Sequence, residues 1–140
     1  MTDLKTMNEP TISLKDLLDL VEKIETRINS YWNFYTVVLI AIGGWIVSNN
    51  NTINPLRAIG ISAALGAFFW ANYKFIKVNE NRLIAVESEI KSVAKVSEIK
   101  SEKFRDFLLD SSIPNRQKLS GRLHFSIDII VIFLVLYKGH

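Results

Sequence analysis

Three stretches of the chain are almost free of charge, and between them apolar residues return every three or four positions. No Asp, Glu, Lys or Arg occurs from Asn29 to Leu56 or from Ala58 to Tyr73, whereas charges crowd between Lys74 and Asp110. A chain that sorts itself between hydrocarbon and water shows this segregation. Tyr31 to Ser48 and Leu56 to Ile76 each approach the roughly 20 residues that cross a hydrocarbon core of about 30 Å. The polar, uncharged loop "NNNTINP" between them makes the pair a helical hairpin. Tyr31, Trp32 and Tyr35 at one end of the first span and Trp45 near the other read as interfacial aromatic belts. A third apolar run, Ile129 to Tyr137, reaches spanning length when it is extended back to about Leu119 with Arg122 snorkelling.

The polar segments are patterned for helix. "TISLKDLLDLVEKIETRINS" offers Thr11 or Ser13 as an N-cap, with Asp16 three residues after Ser13. Leu14, Leu17, Val21, Ile24 and Ile28 follow in steps of 3, 4, 3 and 4, a heptad seam. Residues 1 to 10 read as a frayed start. From Lys77 to Asp110 the rhythm recurs at Leu83, Val86, Ile90 and Val93. It slips to Val96 and Ile99, and resumes at Phe104, Phe107 and Leu108. With no Gly or Pro in that stretch, one helix running on from the second span is expected. It ends near "SSIPNRQ", where Pro114 disfavours helical geometry at Ile113.

The expected fold is therefore all-α: a polytopic integral membrane protein with three transmembrane helices, an amphipathic N-terminal helix and a long cytoplasmic helix. Its parts are residues 1–30 (N-terminal helix), 31–76 (hairpin), 77–118 (charged helical region) and 119–140 (third span). Residues 1–30 hold four Lys or Arg, the first loop is followed only by Arg57, and residues 77–122 hold ten. The positive-inside rule then places the N-terminus and the charged region in the cytoplasm and the C-terminus outside the cell membrane. The first helix, with six acids against four bases, complements the long one, with ten bases against seven acids. Antiparallel pairing through Leu17, Val21, Ile24, Leu83, Val86, Ile90 and Val93 is expected.

Composition narrows the chemistry. The chain has no cysteine, which removes disulfides and thiolate sites. A formal charge of +3 is too small to imply nucleic acid. No P-loop, GxGxxG, HExxH or paired-carboxylate pattern occurs, so neither enzymatic activity nor a cofactor or metal is expected. What stands out is Asp128, inside the third span with His124 four residues earlier on the same face. A carboxylate at mid-span costs roughly 2.5–3.5 kcal/mol on insertion scales and faces protein or water. His124, Asn72 or Lys74 are its expected partners, and with Asn33 the polar set Asp128, His124 and Asn72 would be buried or line a conduit. His124, Ser126 and Asp128 do not form a triad, because Ser126 lies on another face. Gly43 and Gly44 on the first span, and Gly60, Ala64, Gly66 and Ala67 on the second, are small residues of the kind that let helices approach in lipid. Lys74, Lys77, Arg82 and Arg122 are placed to meet anionic lipid headgroups.

The order of parts over residues 11 to 110, an amphipathic helix, a two-span hairpin and a long charged helix, resembles the two-transmembrane, SLATT-type effector domains of bacterial conflict systems. The resemblance lies in organisation, and the third apolar segment departs from it. It implies oligomerisation and membrane permeabilisation on a partner or nucleotide signal. The expected function is thus a homo-oligomeric, pore- or channel-like membrane protein in contact with lipids. The alternative is a non-catalytic anchor or accessory subunit whose cytoplasmic helices dock a partner protein.

Overall fold

A computed structural model describes residues 12–48, 52–96, 99–110 and 113–139. The frayed start expected for residues 1–10 and the alternative cap Thr11 lie outside these. The described chain is all-helical: α1 Leu14–Ser48, α2 Pro55–Val96, α3 Glu102–Leu109 and α4 Ile113–Tyr137. α1, α2 and α4 are long and apolar enough to cross a membrane.

The N-terminal amphipathic segment and the first span are one helix, not two. At about 1.5 Å per residue, the 35 residues of α1 extend about 52 Å, well beyond an apolar core of about 30 Å. Nothing between Ile28 and Tyr31 can break the helix, because that stretch has neither Gly nor Pro. The start is fixed by Ser13. Its Oγ accepts from the Asp16 backbone N–H at 3.2 Å, while Asp16 Oδ2 accepts from the Ser13 N–H and O–H at 3.2 and 2.7 Å, a reciprocal capping box. These bonds hold the Asp16 carboxyl below its ordinary range. The cap therefore supports α1 above that range and is lost as pH falls through the lowered value.

α2 is the central element. It packs along α1 on one side and α4 on the other, while α1 and α4 meet over a short stretch. The α1–α2 seam is antiparallel. Leu17 lies with Ile90, Ala94 and Leu108, flanked by Val21, Val86 and Val93, while Ile24 and Ile28 lie with Leu83. Seven-residue steps on both helices keep these side chains on one stripe. At the N-terminal end of α4, Arg116 donates to Glu25 Oε1 on α1 through Nη1 at 3.2 Å and Nη2 at 3.3 Å. Both side chains are exposed, so this pair orients more than it stabilises. At the opposite end the Ile53 N–H donates to the Lys138 carbonyl at 3.0 Å. There Gly139 is packed so closely that a Cβ would come within 2.6 Å of Ala58 Cβ.

Two boundaries depart from the sequence reading. The helix expected from Lys77 to Asp110 stops at Val96, and a separate α3 starts at Glu102. Its N-cap is Ser101, whose Oγ accepts from the Phe104 N–H at 3.3 Å. The slip of the apolar rhythm marks the place. Val96 is exposed, off the seam that Val93 and Ala94 follow. Turning the chain there brings Leu108 back onto Leu17, Ile90 and Ala94. Pro114, expected to sit in a break, instead lies in the first turn of α4, where its missing N–H has no intrahelical partner to lose.

Leu83 is wholly buried at the middle of the seam. Leu83→Ala is expected to destabilise the helical bundle by about 2–5 kcal/mol in denaturation of the detergent-solubilised protein. Val96→Ala, at an exposed position, should leave the midpoint unchanged. Equal effects at the two positions would contradict the seam.

Candidate functional site

Four polar side chains from three helices join in one chain at the centre of the bundle. Tyr35 on α1 donates its O–H to Asp128 Oδ1 at 2.8 Å. His124 Nδ1 lies 2.7 Å from Asp128 Oδ2, and His124 Nε2 lies 3.4 Å from Asn72 Nδ2 on α2. With Asp128 as a carboxylate, which only accepts, Nδ1 carries the proton toward it. In the neutral ring Nε2 is then the acceptor that faces the Asn72 amide. The i, i+4 spacing of His124 and Asp128 puts both on one face of α4. Tyr35 arrives because the α1 seam Leu17, Ile24 and Ile28 continues to it without a break.

The surroundings seal this chain. Tyr35 and His124 are each 1% exposed and Asn72 4%. The Tyr35 ring stacks on His124 with centroids 4.3 Å apart. Trp32, Tyr73 and Phe69 approach the imidazole with centroids at 5.8, 5.6 and 6.5 Å. Aromatic pairs in such geometries add to area burial, and the ring of aromatics keeps water from the imidazole. Only Asp128 has an opening: its side chain is 17% exposed, toward a groove between α2 and α4. The arrangement holds three helices in register. Ser126 is exposed and outside the chain of bonds. Among the described residues no three His, Asp or Glu side chains converge.

The remaining sequence-selected residues fall in distinct places. Lys74 is not a partner of Asp128; its Nζ lies 5.2 Å from the centroid of the Trp70 ring, on the outside of α2. Asn33 is exposed on α1 and takes no part in the buried chain. The small residues expected to pack helices do not do so within the chain. Gly43, Gly44, Gly60, Ala64 and Ala67 are exposed, and a Cβ built at Gly43, Gly44, Gly60 or Gly66 meets nothing within 4 Å. Ser62, four residues before Gly66 on α2, is turned inward. Arg82 is exposed, whereas Lys77, Arg122 and Gly66 line the α2–α4 groove.

Two participants escaped the sequence reading. Tyr35 reads from sequence as part of an interfacial belt, because an amphipathic aromatic near the end of a span reads the same whether it meets headgroups or a buried acid. Extending the heptad of α1 past Ile28 would have turned it inward. Glu80, buried on α2, borders a smaller polar cavity with Glu25, Asn29 and Arg116, and its position one turn after Ile76 gave no warning.

A double-mutant cycle on Tyr35→Phe and Asp128→Asn measures the central bond. Unfolding in mixed micelles is expected to give a coupling of about 0.6–1.7 kcal/mol, the span of measured interhelical hydrogen bonds in membranes. Asn33→Ala should show no coupling to either. A zero value for the Tyr35–Asp128 pair would mean that the contact holds nothing.

Comparison with known proteins finds no protein family, no curated protein and no solved structure that matches this chain.

Proposed function

We propose that the chain is a subunit of a homo-oligomeric, channel-like assembly in a cell membrane, with the N-terminus and α3 in the cytoplasm and the C-terminus outside. The observation that carries this reading is the open small-residue surface on two spanning helices. In lipid, apolar area gives helices no drive to associate, and close approach at Gly and Ala together with interhelical hydrogen bonding takes its place. Gly43 and Gly44 on α1, and Gly60, Ala64 and Ala67 on α2, are uncovered within the subunit. On α1, Asn33, Val37, Ile40, Gly44 and Val47 follow one another in steps of 4, 3, 4 and 3 and are all exposed, a second stripe facing away from the α2 seam. A second copy of the chain covers such a stripe without new chemistry.

The same geometry reassigns the polar residues. His124, Asn72 and Asp128 bind one another inside the subunit, so they act as a latch between helices and not as the wall of a conduit. Asn33, at the inner end of the α1 span, is the polar side chain left for an intersubunit mouth. The Lys and Arg count supports the orientation, and the resemblance in organisation to bacterial permeabilising effectors supports the setting.

A second reading, a membrane anchor that docks a partner, has one observation in its favour. Phe104 and Phe107 on α3 are 42% and 73% exposed at the charged end of the molecule. The heptad positions Leu83, Val86, Ile90 and Val93 are not available for docking, because they pack against α1 and α3 within the chain.

Light scattering in mild detergent is expected to give a mass that is a multiple of 16.0 kDa and to fall to one copy in Gly44→Leu. Liposomes containing the protein should leak small ions, and Asn33→Leu should change that leak while the mass stays the same. A monomer with no leak, or a fixed complex with a different protein, would exclude the channel-like reading.

A further inference from the structure

A cavity lies not inside the bundle but along its flank. It is a groove of about 630 Å³ between α2 and α4, within the size range of small-molecule sites. Its lining changes character along its length. Lys77 on α2 and Lys118 and Arg122 on α4 surround one end, with Gln117 beside them. Trp70, Phe125, Ile129 and Ile132 line the rest. Among the described residues, the only acidic side chain on its wall is Asp128, whose oxygens already accept from Tyr35 and His124. Gly121 leaves the basic end deep. A Cβ there would already stand 3.6 Å from the Tyr73 hydroxyl, so larger side chains would fill the groove.

We infer that this groove binds one anionic phospholipid, its phosphate held by Lys77, Lys118 and Arg122 and an acyl chain lying along Phe125, Ile129 and Ile132. Charge complementarity selects the occupant. Basic pockets between spanning helices attract anionic headgroups on the side where cations gather, and Lys77, Lys118 and Arg122 lie at the end of the bundle that carries most of the chain's Lys and Arg. An arginine fork adds paired hydrogen bonds to phosphate oxygens. The apolar continuation of the groove distinguishes a lipid from a free anion, which would use the cations alone. An acyl chain laid there also covers the exposed edge of Asp128 and completes the seal of the latch. The inference requires the chain to sit in a bilayer and is independent of how many copies assemble.

Native mass spectrometry of the full chain, purified in neutral detergent, tests this with added phosphatidylglycerol or phosphatidylcholine. Phosphatidylglycerol is expected to be retained in preference to phosphatidylcholine and to raise the Tm. Each of Lys77→Ala, Lys118→Ala and Arg122→Ala should weaken retention about fivefold, and the triple variant on the order of a hundredfold. Gly121→Leu should block both lipids while the light-scattering mass stays unchanged. Three results would overturn the proposal: equal retention of the two lipids, a preference that survives the triple variant, or displacement of phosphatidylglycerol by inorganic phosphate at equal concentration. A change of mass in Gly121→Leu would do so as well, by making the groove a contact between copies.

Discussion

Asp128 brings two carboxylate oxygens into a helix whose next nine positions are Ile, Val, Phe, Leu and Tyr, about 14 Å along the axis from Leu119. In the bilayer setting proposed above, hydrocarbon would offer these oxygens nothing, and the side chain is only 17% exposed. The cost of placing an acid there, several kcal/mol without partners, is met by a Tyr35 hydroxyl and a His124 ring N–H. Each partner imposes a condition of its own. Tyr35 must come from α1, which forces α1 against α4 at this level. His124 needs an acceptor or donor for its second nitrogen, and Asn72 provides it from α2. One acid thereby ties three helices together through four side chains that bond to one another.

Everything toward the charged end follows from that register. With Tyr35 on the inner face, the residues at seven-residue spacing before it, Ile28 and then Val21, must also face inward, and the seam meets Leu83, Val86 and Ile90 in order. The continuity of α1 transmits the register of the span into the polar region, so the two halves of the molecule cannot slide independently. The break after Val96 belongs to the same logic. A straight continuation of α2 would carry Phe104, Phe107 and Leu108 away from the short N-terminal end of α1, while a turn at Ser101 returns Leu108 to the cluster around Leu17.

The helical class, the three apolar helices and the paired seams were legible because each rests on a local regularity: charge-free length for the spans, heptad steps for the pairing. What was not legible depends on rotation. Lys74 sits near the depth of the latch but on the wrong side of α2, where its amine finds the Trp70 face. The sequence reads Tyr35 as an interfacial aromatic and Lys74 as a partner for Asp128, whereas it is Tyr35 that bonds the acid. The phase of α1 relative to Leu17 turns Tyr35 inward, because α1 runs through residue 30 as one helix. The break at residues 99–101 was visible as a slip in rhythm, yet a slip can be absorbed by a bend as well as by a new helix. The Ser101 cap decides it, and a lone serine among Lys and Glu carries little signal.

The internal latch also constrains what the outer surface can do. In a thin three-helix unit, polar groups are scarce, and those of greatest depth are directed to one another. A conduit lined by Asp128 and His124 would require opening the aromatic shell of Trp32, Tyr35, Phe69 and Tyr73 and leaving an imidazole and a carboxylate without their present bonds. Leaving a buried charged group without its partner is strongly destabilising. Function is therefore more economically placed on surfaces the latch leaves unsatisfied. These are the small-residue stripes of α1 and α2, where backbone can meet backbone, and the basic groove between α2 and α4, whose floor is the one exposed edge of Asp128. The latch ties α1 to α4 through the bond between Tyr35 and Asp128, and so helps to hold the helices that carry these surfaces.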